Sequence, residues 1–261
     1  SISPETYYST AAQLEANLND EYPNVLPSFG QWTYGIFGED KGTDNQIEVN
    51  ANDRYTQDRW KVPHSESDNW KFERIYRINF FLSEALPKFG EDMSGSQNTI
   101  SGSVATIKHY IGEMYFLRAY EYFKKLQLFG DFPIINQPLA DEMEALREAS
   151  KRFPRNEVAR FIISDLDKAY AYMSDVDMAT TRINKDAAML VKSRVALFEA
   201  TWLQNFKGTA FVPGGEGWPG ASLHNNYQYP SGNLDNEVKY FLEQAVEASK
   251  LVADKYKGNR S

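Results

Sequence analysis

Cysteine is absent from this 261-residue chain. That excludes disulfides, thiol catalysis and Cys-ligated zinc. Histidine is scarce: His64, His109 and His224 stand far apart, without the paired spacing of metal ligands. No apolar run approaches the ~18 residues of a membrane-spanning helix. Strand-type alternation is scant. The phosphate loop Gly-x-x-x-x-Gly-Lys, the Gly-x-Ser-x-Gly elbow and His-Glu-x-x-His are all missing, and the glycine-rich run at 214–220 lacks the lysine. Positive charge is in deficit, with 28 Lys and Arg against 36 Asp and Glu, a net charge of −8. Such a surface repels phosphate backbones, so no nucleic-acid partner is expected.

Aromatic residues are plentiful, at 14% with 16 Tyr, 16 Phe and 5 Trp. They are densest around residues 112–134. Ile111, Tyr115, Ala119, Tyr122, Leu126 and Phe129 lie on one helical face, and Phe116, Tyr120 and Phe123 on a second. A helix apolar on two faces must be covered on both, so it is expected to sit between other helices. Gly130 is placed for the left-handed turn after it, and Pro133 forbids continuation.

This stretch, Gly112-Glu113-Met114-Tyr115-Phe116-Leu117-Arg118-Ala119-Tyr120-Glu121-Tyr122-Phe123 with Gly130-Asp131-Phe132-Pro133-Ile134 below it, resembles the signature helix of the SusD/RagB family. Met114 stands where the family usually has Ala. Weaker matches follow in family order at 70–79, 155–169, 182–202 and 243–256. The resemblance implies an all-α, TPR-like α-solenoid of antiparallel helix pairs. It implies a surface-exposed nutrient-binding lipoprotein of Bacteroidetes outer membranes, held by a lipid anchor upstream of Ser1. It also implies a partner, a SusC-like TonB-dependent transporter. Members are longer, so the chain is expected to be the N-terminal portion of a longer protein, one helical domain over 1–261 decorated by loops 24–66 and 207–233.

The remaining helices read from their spacing. Ser3-Pro4-Glu5 is a helix start with the stripe Tyr7, Ala11, Leu14 and Leu18, closed by Pro23 and Pro27. A helix capped near Asp68 carries Ile75, Ile78, Leu82, Leu86 and Phe89 and ends at Gly90. Asn156 opens a helix bearing Val158, Ile162, Leu166, Ala169 and Met173. Asn184 caps another, with Ala188, Val191, Val195, Phe198 and Trp202. The last carries Val238, Leu242, Ala245, Val252 and Tyr256. Six helices result, with small residues (Ala119, Ala188, Ala196, Ala200) suited to close crossings. Residues 131–153 read as a connection with a short charged segment.

Candidate ligand residues lie in the two long loops. Trp32, Tyr34, Tyr55 and Trp60 are interleaved with Asp44 and Arg54, and His64 follows. Flat rings stack on the apolar face of a sugar, and Asp, Asn and Arg bond its hydroxyls. The alternative is that these rings pin the loop to the helical body. The family's ligand face includes the region before the helix that begins near Trp70, which makes Trp60 the first candidate. Trp218 in the second loop is either a further contact or part of a plain surface excursion. Glu113, Arg118, Asn79, Gly130 and Asp131 read as structural: buried polar groups that need partners, and a turn. The run 40–45 has calcium-type oxygens without the spacing of a helix-loop-helix site, so neither metal nor cofactor is expected. The reading is non-catalytic oligosaccharide binding. Peptide binding, a helical-repeat interaction scaffold and a glycan hydrolase are the alternatives.

Overall fold

The computed structural model describes residues 7–28, 45–46, 69–174 and 181–258. Among these residues the chain forms α1 (Ala11–Val25), α2 (Glu73–Phe89), α3 (Val104–Phe129), α4 (Met143–Ala149), α5 (Arg155–Tyr172), α6 (Lys185–Asn205) and α7 (Leu234–Lys255). A short 3-10 helix, Pro219–Ser222, lies between α6 and α7. Extended pairing among the described residues is confined to isolated bridges, such as Phe132 with Phe153.

Side-chain oxygens fix most helix starts. Ser103, Asn184 and Asn233 each accept the backbone N–H three residues on, filling donors that a first turn cannot satisfy. α1 begins later than the sequence suggests. Tyr7 precedes it and Tyr8 takes a positive φ of 57°, while Thr10 and Gln13 form a reciprocal capping box that sets the start. Pro23 falls inside the last turn of α1 rather than closing it. Asn156 lies within the first turn of α5, whose N-cap is Pro154. The charged segment after Asp131 forms α4, a helix with no buried residue.

Cross-helix contacts give the order. Arg77 on α2 bonds Glu21 on α1, and Lys88 on α2 donates to the carbonyl of Tyr7, so α1 and α2 run antiparallel. Arg118 pairs with Asp165, and His109 meets the Ser174 N–H, which makes α3 and α5 antiparallel. Lys192 pairs with Asp167, and Arg155 with Glu199, along α5 and α6. Lys255 reaches Asp186 and Lys207 reaches Asp235 along α6 and α7. The result is an all-α solenoid of antiparallel helix pairs.

α3 is its inner rod, packed against α1, α2 and α5 and buried along nearly its whole length. At Gly112 an added Cβ would lie 2.9 Å from the Met173 backbone nitrogen, so glycine sets how closely α3 and α5 approach. Ala119, Ala188, Ala196 and Ala200 are fully buried. On α7 the buried face is Val238, Phe241, Ala245, Ala248 and Val252. Leu242 and Tyr256, expected on that face, are exposed, because the stripe packed against α6 runs instead through Phe241 and Ala248.

Candidate functional site

Halfway along α3, Arg118 is 3% exposed. Its guanidinium makes a two-pronged pair with Asp165 at 2.7 and 2.8 Å. It also donates to the Asn79 side-chain oxygen and the Asn136 carbonyl. Asn79 in turn donates to the Ile135 carbonyl. Nearer the start of α3, Glu113 accepts from Tyr22 and Arg182. Burial, reinforced by Glu113, pushes the Tyr22 phenol far up. These groups tie helices together, and their charged centres, Arg118, Asp165 and Glu113, are buried.

The C-terminal end of α3 is different. Gly130, at φ +67°, turns the chain out of the helix. The Phe132–Phe153 bridge then returns it to α5. Asp131 accepts the Arg155 backbone N–H at 2.9 Å and the Trp218 indole N–H at 2.8 Å. It thereby staples the loop after α6 onto α3 and α5. Burial pushes the Asp131 carboxyl up, opposed by the Trp218 and Arg155 donors.

Around this staple opens a cleft of about 550 Å³, in the range of small-molecule sites. Leu128, Trp202, Phe211 and Pro219 contribute apolar wall, and Gln127, Arg152 and Arg155 the polar part. Phe211 is 61% exposed. Arg155 pairs through Nε and Nη2 with both oxygens of the fully buried Glu199 and lies 4.1 Å over the Trp202 ring. Burial pushes the Glu199 carboxyl up, opposed by Arg155. Arg152 sits 4.6 Å over Trp70, and its carbonyl accepts from His224. Trp218 lines the cleft but is itself only 5% exposed. Gly220 folds back over its indole so tightly that a Cβ there would meet the ring at 2.2 Å.

Of the residues expected to touch ligand, Trp32, Tyr34, Asp44, Arg54, Tyr55, Trp60 and His64 lie outside the described residues. Trp218 is a covered wall of the cleft. Gly130 and Asp131 form its base, whereas Glu113, Arg118 and Asn79 lie away from it along α3. Arg152, Arg155 and Phe211 escaped the sequence reading, and Trp70 and Trp202 were read only as helix residues. Their only local signal was a pair of arginines flanking Pro154. Among the described residues no three His, Asp or Glu side chains gather as a metal-binding group. No helix there is long and apolar enough to cross a membrane.

The SusD-like family model, described as starch-binding associating with outer membrane, matches residues 3–197. SusD-like protein P2 of Formosa agariphila is 26% identical over 81% of this chain and 41% of its own length. SusD-like protein P25 of the same organism is 24% identical over 77% of this chain and 38% of its own. The chain thus spans about 40% of the length of these relatives. A SusD-like carbohydrate-binding protein from Bacteroides vulgatus is similar in structure, with a TM-score of 0.49, 14% identity and coverage of 95% of this chain and 45% of that one. With the family model running over most of its residues, the chain belongs to the SusD-like family.

Proposed function

We propose that this chain binds oligosaccharide without chemical turnover, as part of a longer protein at the outer-membrane surface that delivers its ligand to a SusC-like TonB-dependent transporter. The observation that carries the binding is the cleft at the end of α3. It joins an exposed aromatic wall at Phe211 to guanidinium donors at Arg152 and Arg155. Rings for the apolar face of a sugar and directed donors for its oxygens are the chemistry of glycan recognition. Non-catalytic binding is supported by the state of the adjacent carboxylates. Asp131 and Glu199 spend their oxygens on Trp218 and Arg155, whereas glycoside hydrolysis needs two carboxyl groups facing the scissile bond. Family membership supports the outer-membrane setting and the transporter. In this reading Trp32, Tyr34, Asp44, Arg54, Tyr55, Trp60 and His64 supply a second part of the ligand surface.

The test is retention of the protein in gels cast with polysaccharides, alongside Phe211→Ala and Trp60→Ala. Retention lost in either variant, with unchanged circular dichroism and no released sugar, is the expected result. Equal migration of all three proteins in every glycan gel removes the proposal, and release of reducing ends removes its non-catalytic part.

A further inference from the structure

We infer that the cleft at the end of α3 is selective for acidic oligosaccharides, sugars bearing a carboxylate or a sulfate ester. This rests on the binding reading above and narrows it.

The reasoning starts from the hydrogen-bonding capacity left over after folding. Both Asp131 oxygens are occupied, by the Arg155 backbone N–H and the Trp218 indole. Both Glu199 oxygens are occupied by the Arg155 guanidinium. The strong acceptors beside the cleft are therefore spent. The donors are not. Arg155 is 3% exposed and uses Nε and Nη2 on Glu199, which leaves its Nη1 without an acceptor. That nitrogen lies 3.3 Å from the position a Cβ on Gly130 would take, against the cleft-lining backbone. Nη1 is not among the buried polar atoms left without a partner, so it opens toward the cleft, where a ligand oxygen can take the place of water.

Arg152 extends the same imbalance. Its guanidinium face rests on Trp70, and no carboxylate pairs with it among the described residues. The edge of a planar guanidinium held by its face is free for two parallel N–H···O bonds, the geometry that carboxylates and sulfates accept. Arg155 is paired directly with Glu199, whereas Arg152 makes no ion pair among the described residues and feels a carboxyl only at a distance, that of Asp131. The chain at large carries a net charge of −8, whereas here two arginines stand beside two carboxyl groups, Asp131 and Glu199, so the cleft repels an acidic sugar less than the rest of the surface does, and the fork of Arg152 gives that sugar its partner. Leu128, Phe211 and Pro219 supply an apolar wall for the sugar ring. A neutral sugar satisfies the wall but leaves the fork with weaker acceptors.

The test is calorimetric titration of the protein with three oligosaccharides of equal length: neutral, uronate-bearing and sulfated. It is repeated with Arg152→Gln and Arg152→Lys, whose exposed position leaves thermal melting unchanged. At least one acidic ligand is expected to bind about tenfold more tightly than the neutral one, the scale of charge-assisted hydrogen bonds. Arg152→Gln is expected to erase that advantage, and Arg152→Lys to keep part of it, as a point charge without the fork. The uronate and sulfate arms identify the acidic group. Neutral and acidic ligands binding equally, with Arg152→Gln silent, overturns the selectivity and leaves oligosaccharide binding standing. Acidic preference that survives Arg152→Gln rules out the Arg152 fork as its source and overturns the proposal. No binding of any of the three overturns the general reading along with the selective one.

Discussion

The two ends of α3 use the same chemistry to different effect. Near its start, Arg182 pairs with the fully buried Glu113 at 2.5 and 2.9 Å, reaches Asn19, and lies over Tyr110 and Tyr22. Glu113 also accepts from Tyr22, and His109 sits 3.3 Å away. At the other end Arg155 pairs with the fully buried Glu199 and lies over Trp202. Both ends combine an arginine, a carboxylate and an aromatic face. At the first end the partners close over one another, which fixes helices. At the second, the Nη1 of Arg155 and the fork of Arg152 are left over beside a cleft. A buried ion pair is a poor marker of function; an arginine edge with nothing to bond is a better one.

The largest test of this contrast is Arg182→Ala. It strands the Glu113 carboxylate inside the protein and is expected to cost ~3–5 kcal/mol in urea unfolding. A loss below about 1 kcal/mol would mean the closed end is wetter than its geometry implies. Gly112→Ala probes the same end through packing. With Met173 and Ala169 backbone atoms 2.9 and 3.0 Å from the new Cβ, the cost is expected at ~1–3 kcal/mol. A melting temperature equal to the parent's would refute the close approach.

At the open end, Trp218→Phe keeps the ring and removes the donor to Asp131. A loss of ~1–3 kcal/mol follows if that carboxylate oxygen stays dry. Because burial already raises the Asp131 pKa, its contribution to stability is fullest below the unfolded value and falls as pH rises through the folded one. The substitution should steepen that fall, read as unfolding free energy against pH. Arg152→Ala, in contrast, is expected to change stability by no more than ~0.5 kcal/mol, as for an exposed side chain. A loss matching that of Arg182→Ala would make the two ends equivalent.

The smallest effect lies in the link leading into α3. Asp92, bonded by the Ser94 and Ser96 hydroxyls and the Ser94 N–H, is lowered to about 2 from 3.8. Its contribution is therefore present above the unfolded value and lost as pH falls through about 2. Carbon-detected NMR should find Asp92 titrating there, and Ser94→Ala should move it toward 3.8.

The helices were legible where apolar spacing and a cap agreed. Asn184, read as a cap, falls at a helix start, and Gly90 and Gly130 fall just past helix ends; the caps at Ser103 and Asn233 came from the structure. The reading slipped where a local signal had a rival. Ser3-Pro4 lies outside the described residues, and the helix that carries Leu14 and Leu18 is capped instead by Thr10 and Gln13. Asn156 resembled a cap, but its side chain bonds Tyr227 and Glu237 inside the first turn of α5. The cleft was scarcely legible. Asp131 and Trp218 stand 87 residues apart, and the link between them depends on how α5 and α6 pack on α3.

By itself the sequence determined an inner helix apolar on two faces, its glycine stop and the resemblance those residues carry. Periodicity and turn chemistry act over a few residues, so a short window contains them. The tertiary structure alone decided which arginines would be quenched and which left with open N–H groups. Charge pairing and burial depend on neighbours brought from other helices, and at the end of α3 those neighbours supply one carboxylate fewer to meet Arg152 than they supply to Arg155.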